Sequence, residues 1–396
     1  MKRISVGDRP REAIRSLNVA FVLMGAAEST VLPFIVLYLF ERGFNAPSIG
    51  VVLAAAALAS LVTSPAWAYA ADRALGAERT VVLAAAAAAA AGLGLAEAHG
   101  TLAVGAATVV LWVARSPFTS LLDANALQRL GGAGRSGYGR IRLWMSAGYA
   151  LVAVVSGAVF QVSSLQLLPF LYAPLVLVSG TWVWIALKPA ARVASERPSS
   201  PSTASVSIRR VPIPLIGFLV STLLVGTSFA AMANFVTLRI NVLGGGALLI
   251  GAAAAFQALT EIPTMAYTPV LTRYVSHRVL YVVGCVIYVA VFVAWAFVSD
   301  ALATALIRLV IGVGFALTYV ASVQIADDLA PAHLRATAQA LVKAVGFGLA
   351  PIAGALGGGL IYGAIGSRAM FLVAAVITAA AGAVAMIALP ARTRQA

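Results

Sequence analysis

The sequence predicts an all-α membrane protein, with twelve transmembrane helices in two pseudo-symmetric six-helix bundles. Three observations carry that reading: the scarcity of charge, the spacing of the apolar runs, and a repeat that halves the chain. Of 396 residues, 61% are hydrophobic and 10% are charged, with a mean hydropathy of +0.97. A soluble domain carries about a quarter of its residues as Asp, Glu, Lys and Arg. This chain lacks the polar side chains to cover a water-facing surface.

Apolar runs fall near 17–40, 47–71, 79–97, 101–126, 141–163, 166–187, 213–238, 247–270, 278–298, 301–325, 336–362 and 367–389. A helix needs roughly 20 residues to cross the hydrocarbon core, and each run has about that length. Barrel strands of roughly ten alternating residues are excluded. The polar, Pro- and Ser-rich stretch at 190–212 reads as a linker, separating an N-terminal bundle (1–189) from a C-terminal bundle (213–396). The two parts echo each other. PAWAY at 65–69 returns as PTMAY at 263–267, and GYAL at 148–151 returns as GFGL at 346–349, both at an offset of 198 residues. Two matches at one offset, in corresponding runs, indicate duplication. Halves duplicated about an axis along the membrane normal hold their solute site between them, near the midplane.

The formal net charge is +14, and its placement decides its meaning. Lys2, Arg3, Arg9, Arg11 and Arg15 precede the first run; Arg129, Arg135, Arg140 and Arg142 lie around the gap between the fourth and fifth; Lys188, Arg192, Arg197, Arg209 and Arg210 fill the central gap. Arg392 and Arg394 end the chain. Alternate crossings put all of these on one side, with little but Arg42, Arg239 and Arg368 opposite. The positive-inside rule then makes both termini cytoplasmic, in a multi-pass protein of a bacterial-type inner membrane. Charge spread this way does not track a nucleic acid. The charged start MKRISVGDRPREAIRSLNVA has no small-residue cleavage site and reads as the approach to the first span, not a removable signal. One cysteine, Cys285, and three scattered histidines give no disulfide and no metal set. The expectation is a monomer with no cofactor beyond a proton gradient, and lipid, protons and a small molecule as its partners.

Ionisable groups inside spans cost at least ~2.5–3.5 kcal/mol each, so each is a functional candidate. They are Glu28, Arg115, Asp123, Glu261, Arg308 and Lys343. Arg115, Thr119 and Asp123 share a helical stripe, as do Gln257, Glu261 and Thr264 with Thr260, and such stripes belong against a hydrated cavity. Glu261 is the leading proton-coupling candidate, since a carboxyl in a low-dielectric cavity takes up a proton readily; the bland alternative is a buried ion pair. Pro263 offers a local break that would admit water. Glu28 is the second coupling candidate, with a packing role as its alternative. Arg115, Arg308 and Lys343 either bind an anionic solute or neutralise the acids. Residues 142, 146 and 149 lie on one helical face and present a guanidinium, a hydroxyl and an aromatic ring. The guanidinium fork suits carboxylates or vicinal hydroxyls, although Arg140 and Arg142 also fit as simple anchors.

The stretch SPFTSLLDANALQRLGGAGRSGYGRIRLWMSAGY, with Pro117, Asp123 and the block Tyr138 to Trp144, resembles one branch of the major facilitator superfamily. That branch contains lactose permease, phenylpropionate permease and nucleoside–proton symporters. QALTEIPTMAYTPVLTRYVSHRVL, with Glu261, Leu271 and Arg273, and GGLIYGAIGSRAMFLVAA extend the likeness. The loop ADRALGAERTV resembles the superfamily's D-R-x-G-R-R signature through Asp72, Arg73, Gly76 and Arg79, with Ala68 where a glycine usually stands. The resemblance implies that Arg142 and Asp123 clasp the solute while Tyr149 stacks on it; Arg115, Gln257 and Lys343 are further binding candidates by their place among the polar and charged residues inside spans. It implies that Asp72, Arg73 and Arg79 gate the cytoplasmic side; a generic basic loop is the alternative. Lactose permease couples protons through His and Glu in its tenth span, and the tenth run here has neither, so that arrangement does not transfer.

The function expected is a proton-coupled symporter, working by alternating access, for a small polar or anionic organic solute. The alternative is a proton-driven exporter of drugs, siderophores or metabolites, but the fifth run, MSAGYALVAVVSGAV, lacks the proline of the usual antiporter signature. A membrane enzyme is disfavoured, because the histidines lie at loops and no Ser/His or metal cluster falls within a run.

Overall fold

A computed structural model describes residues 8–130, 134–187, 212–331 and 334–390. The predicted linker lies outside the described residues, as do the side chains of Arg129, Arg135 and Arg140.

All regular elements among the described residues are helical. Eleven segments are long and apolar enough to cross a membrane: Ile14–Glu41, Ala46–Ala74, Ala77–Glu97, Thr101–Leu127, Ile141–Val162, Leu165–Ala186, Ile213–Val242, Ala247–Thr268, His277–Phe297, Ala301–Leu329 and Thr337–Ala388. The first ten follow the predicted runs closely and are numbered here as spans 1 to 10. The last is 52 residues long and covers two predicted runs. Its helix is broken at Gly366, whose φ of +89° is open to glycine and costly for other residues. Gly346 before the break sits against Thr222, and Ala388 after it sits against Gly217, both near the start of span 7. The chain therefore reverses at Gly366, leaving an ascending arm and a returning arm.

Short polar residues start several helices by accepting backbone N–H groups that have no partner in the first turn. Asn45 Oδ1 takes the Ser48 amide at 3.0 Å, and Asp300 Oδ1 takes that of Ala303 at 2.6 Å. Glycines of positive φ then turn the chain between spans, among them Gly43 after span 1 and Gly244 after span 7.

Those two glycines belong to a structural repeat. Arg42, at the end of span 1, donates to the Ala98 carbonyl beyond span 3, and Arg239, near the end of span 7, donates to the Val298 carbonyl beyond span 9. Gly148 packs on the Val22 backbone of span 1, and Gly346 packs on Thr222 of span 7. The sequence repeat GYAL/GFGL thus marks equivalent contacts in the two parts.

Lipid offers helices no hydrophobic reason to associate, so close packing at small residues holds them together. The seam between the parts is made this way. A Cβ at Gly157 or Gly251 would strike the backbone of the facing helix in the span 5–span 8 crossing, and one at Gly50 or Gly359 would do so where span 2 crosses the ascending arm. Thr237 Oγ1 also donates to the Pro33 carbonyl at 3.3 Å, and the Leu248 amide donates to Gln161 Oε1 at 3.4 Å. These bonds lie at the face remote from the chain termini. At the terminal face the named bonds stay within one part: Asn125 Nδ2 to Glu78 at 3.1 Å, Gln339 Nε2 to Asp327 at 2.8 Å, and His277 with Asp328 at 2.8 Å.

Candidate functional site

Span 4 is two helices, Thr101–Arg115 and Pro117–Leu130. Pro117 has no N–H for the carbonyl four residues back. That carbonyl, on Val113, instead accepts Trp67 Nε1 at 3.1 Å and Ser116 Oγ at 2.9 Å. Arg115 stands beside the break with its guanidinium over the Trp112 ring, 4.8 Å from the centroid. It forms a two-toothed ion pair with Glu28 of span 1, a residue that is 6% exposed. This pairing takes the neutralising option for Arg115 and satisfies Glu28 within the N-terminal part. Tyr172 of span 6 and Tyr149 of span 5 lie within electrostatic reach of the same guanidinium.

A second group is built on spans 8 and 10. Gly312 lacks the Cβ that would strike the Gln257 carbonyl, so the two helices meet closely. Thr260 Oγ1 donates to the Leu309 carbonyl at 2.6 Å, and Arg308 Nη2 donates to Gln257 Oε1 at 2.9 Å. Glu261 stands one turn on, with its carboxyl within electrostatic reach of the Gln257 side chain. Gln257 thus lies between a buried cation, from which it accepts, and an acid. Pro263 does not open the helix: span 8 runs unbroken through it, in a helix extending from Ala247 to Leu271. The hydroxyls of Thr260 and Thr264 are spent on backbone carbonyls, so the polar stripe on span 8 reduces to Gln257 and Glu261.

Across the seam, Arg142 of span 5 lies within electrostatic reach of Glu261. Tyr319 of span 10 has Arg142, Asp123 and Glu261 in reach, and Tyr149 has Arg308, Arg115 and Glu261. The two tyrosines thus stand between residues of both parts. The resulting cluster holds three guanidiniums, on Arg115, Arg142 and Arg308, and three carboxyls, on Glu28, Asp123 and Glu261. It is neutral with every acid ionised and gains one positive charge per proton bound.

The structure brings Glu28, Arg115, Asp123, Arg142, Tyr149, Gln257 and Glu261 into this region. Lys343 is exposed, at the end of the helix Arg335–Lys343, and is not among the residues gathered here. Asp72 and Arg73 occupy a π-helical turn, Ala70–Ala74, and are exposed with Arg79 at the terminal face. Tyr172 and Tyr319 escaped the sequence reading, because one hydroxyl in an apolar run gives no signal of what it faces. Among the described residues no group of His, Cys, Asp or Glu could hold a metal ion.

Comparison with known proteins bears on the family and the fold. The maltose permease of Geobacillus stearothermophilus is 26% identical over 338 residues, covering 83% of this chain and 82% of that one. The crystal structure of the nucleoside transporter NupG superposes with a TM-score of 0.78 at 16% identity, over 95% of this chain and 98% of that one. The POT family transporter PepTSo superposes at 0.73 with 10% identity, over 96% and 97%. These two likenesses concern the fold. The profile of the MFS_1 like family matches residues 14–373. The chain belongs to that family of major facilitator transporters.

Proposed function

We propose that this protein is a proton-coupled symporter of a small polar or anionic organic solute, working by alternating access between two six-helix halves. The reversal at Gly366 supports twelve crossings, and the basic gaps support cytoplasmic termini in a bacterial-type inner membrane.

One observation carries the reading: Glu261 of the C-terminal half lies across the seam within electrostatic reach of Arg142 of the N-terminal half. Their separation changes as the halves move. Protonating Glu261 removes that carboxylate charge and leaves the cluster one charge positive, so a carboxylate or a hydroxyl-rich solute takes the Arg142 guanidinium fork. Losing the proton restores the carboxylate charge, which expels the solute. Solute and proton bind and leave together. Arg115 stays neutralised by Glu28 throughout.

A thermal-shift screen of sugars, nucleosides and carboxylates at two pH values identifies the solute. In proteoliposomes Glu261→Gln then spares solute counterflow and abolishes uphill uptake driven by a pH gradient. Full uphill uptake by that variant removes Glu261 from the coupling. Accumulation inside inside-out vesicles, driven by a proton gradient, assigns the protein to export.

A further inference from the structure

The C-terminal half contains a cavity of about 270 Å³ between spans 7, 9 and 10 and the ascending arm. Its walls are aromatic. Phe229 and Phe315 stack at 5.2 Å, Phe315 and Tyr319 stack at 5.7 Å, and Phe347 meets Tyr319 edge-on at 5.9 Å. Tyr288 closes the far side, with its hydroxyl held by Thr318 at 3.3 Å. A π-helical turn, Ala344–Leu349, carries Phe347 and Gly346 to the rim.

Two features separate this cavity from a packing defect. An apolar void near 150 Å³ is already roomy enough for benzene, so this one holds a ring with space to spare. It also shares a wall with the charged cluster: Tyr319 lines the cavity and stands within electrostatic reach of Arg142, Asp123 and Glu261. The repeat adds a third argument. At the common offset Tyr149 corresponds to Phe347. The N-terminal copy is a phenol among the charges, and the C-terminal copy is a bare ring facing the cavity. At this position the two halves have diverged, one toward the charges and one toward the aromatic cavity.

We infer that the solute carries an aromatic ring on its polar head, and that the ring enters the Phe229–Phe315–Tyr319 cavity while the head meets the Arg142–Glu261 group. This rests on the transport reading above and narrows its substrate class. Offset stacking of rings accounts for the preference for a planar aromatic over an alkyl chain.

The test uses purified full-length protein in lipid nanodiscs and two probes, 4-fluorobenzyl alcohol and 4-fluorobenzyl β-glucoside, followed by fluorine NMR. Wild type binds the alcohol saturably. Ala233→Phe and Ser322→Leu, which fill the cavity, weaken binding by about tenfold or more, and Phe315→Ala weakens it by removing a stacking face. The glucoside binds about tenfold tighter than the alcohol, and Arg142→Gln erases that gain. Ring binding is read with no proton gradient, so a failed coupling experiment and a failed ring experiment are told apart. Absence of saturable alcohol binding in wild type overturns the inference. So does binding indifferent to both filling variants, or a glucoside that gains nothing from its head.

Discussion

At the scale of single residues, the Glu28–Arg115 pair shows how a costly group is kept. Neither charge survives alone in this setting, because breaking a buried pair by removing one partner costs ~3–5 kcal/mol. Glu28→Gln should therefore lower the unfolding temperature sharply, and adding Arg115→Met should recover most of the loss; thermal unfolding of the three variants checks this. Gln257 is the second sensitive point. Gln257→Leu leaves Arg308, 8% exposed, without its acceptor, at about 1–3 kcal/mol. Solute affinity should fall with stability in that variant, measured by ligand-dependent thermal shift. The candidates themselves were legible in the sequence, because a charge inside an apolar run stands out. Their pairing was not, since Glu28 and Arg115 are 87 residues apart and meet only through the register of spans 1 and 4. Lys343 shows the opposite failure. It lies within an apolar run, yet its position near the terminal face leaves it exposed, where a long stem carries the ammonium to water.

At the scale of the helix, closeness is set by what glycine omits. Gly354 and Gly357 occupy the same helix in the ascending arm. A Cβ at Gly354 would strike the Thr227 carbonyl of span 7, whereas one at Gly357 meets nothing within 4 Å. Gly354→Ala should destabilise, and Gly357→Ala should be neutral or stabilise by roughly 0.5–1 kcal/mol through helix propensity; the signs of the two melting shifts test this. Gly354 and Gly358 stand four residues apart, a spacing that marks a close-approach pair in the sequence itself. The seam glycines at 50, 157, 251 and 359 were not legible there, because small residues are scattered throughout this Ala- and Gly-rich chain and only the crossing selects among them. Pro263 misled for a related reason. A proline removes one bond from a helix, but the helix can continue past it, as span 8 does.

At the scale of the whole molecule, fold class was the most legible feature, since run length and the repeat offset both depend on sequence alone. What joins the halves was not legible. The seam bonds of Gln161 and Thr237 tie loop-proximal residues that carry no motif. The halves meet around a cluster whose guanidiniums and carboxyls balance, and in the proposed mechanism a single proton changes its charge and its affinity for the solute. Simultaneous recording of solute entry and lumenal pH in proteoliposomes, with no gradient imposed, tests this most directly. Downhill entry of the identified solute should acidify the lumen of wild-type vesicles, while Glu261→Gln vesicles should fill with solute at constant pH. Solute entry into wild-type vesicles without acidification, or undiminished acidification with Glu261→Gln, contradicts the account.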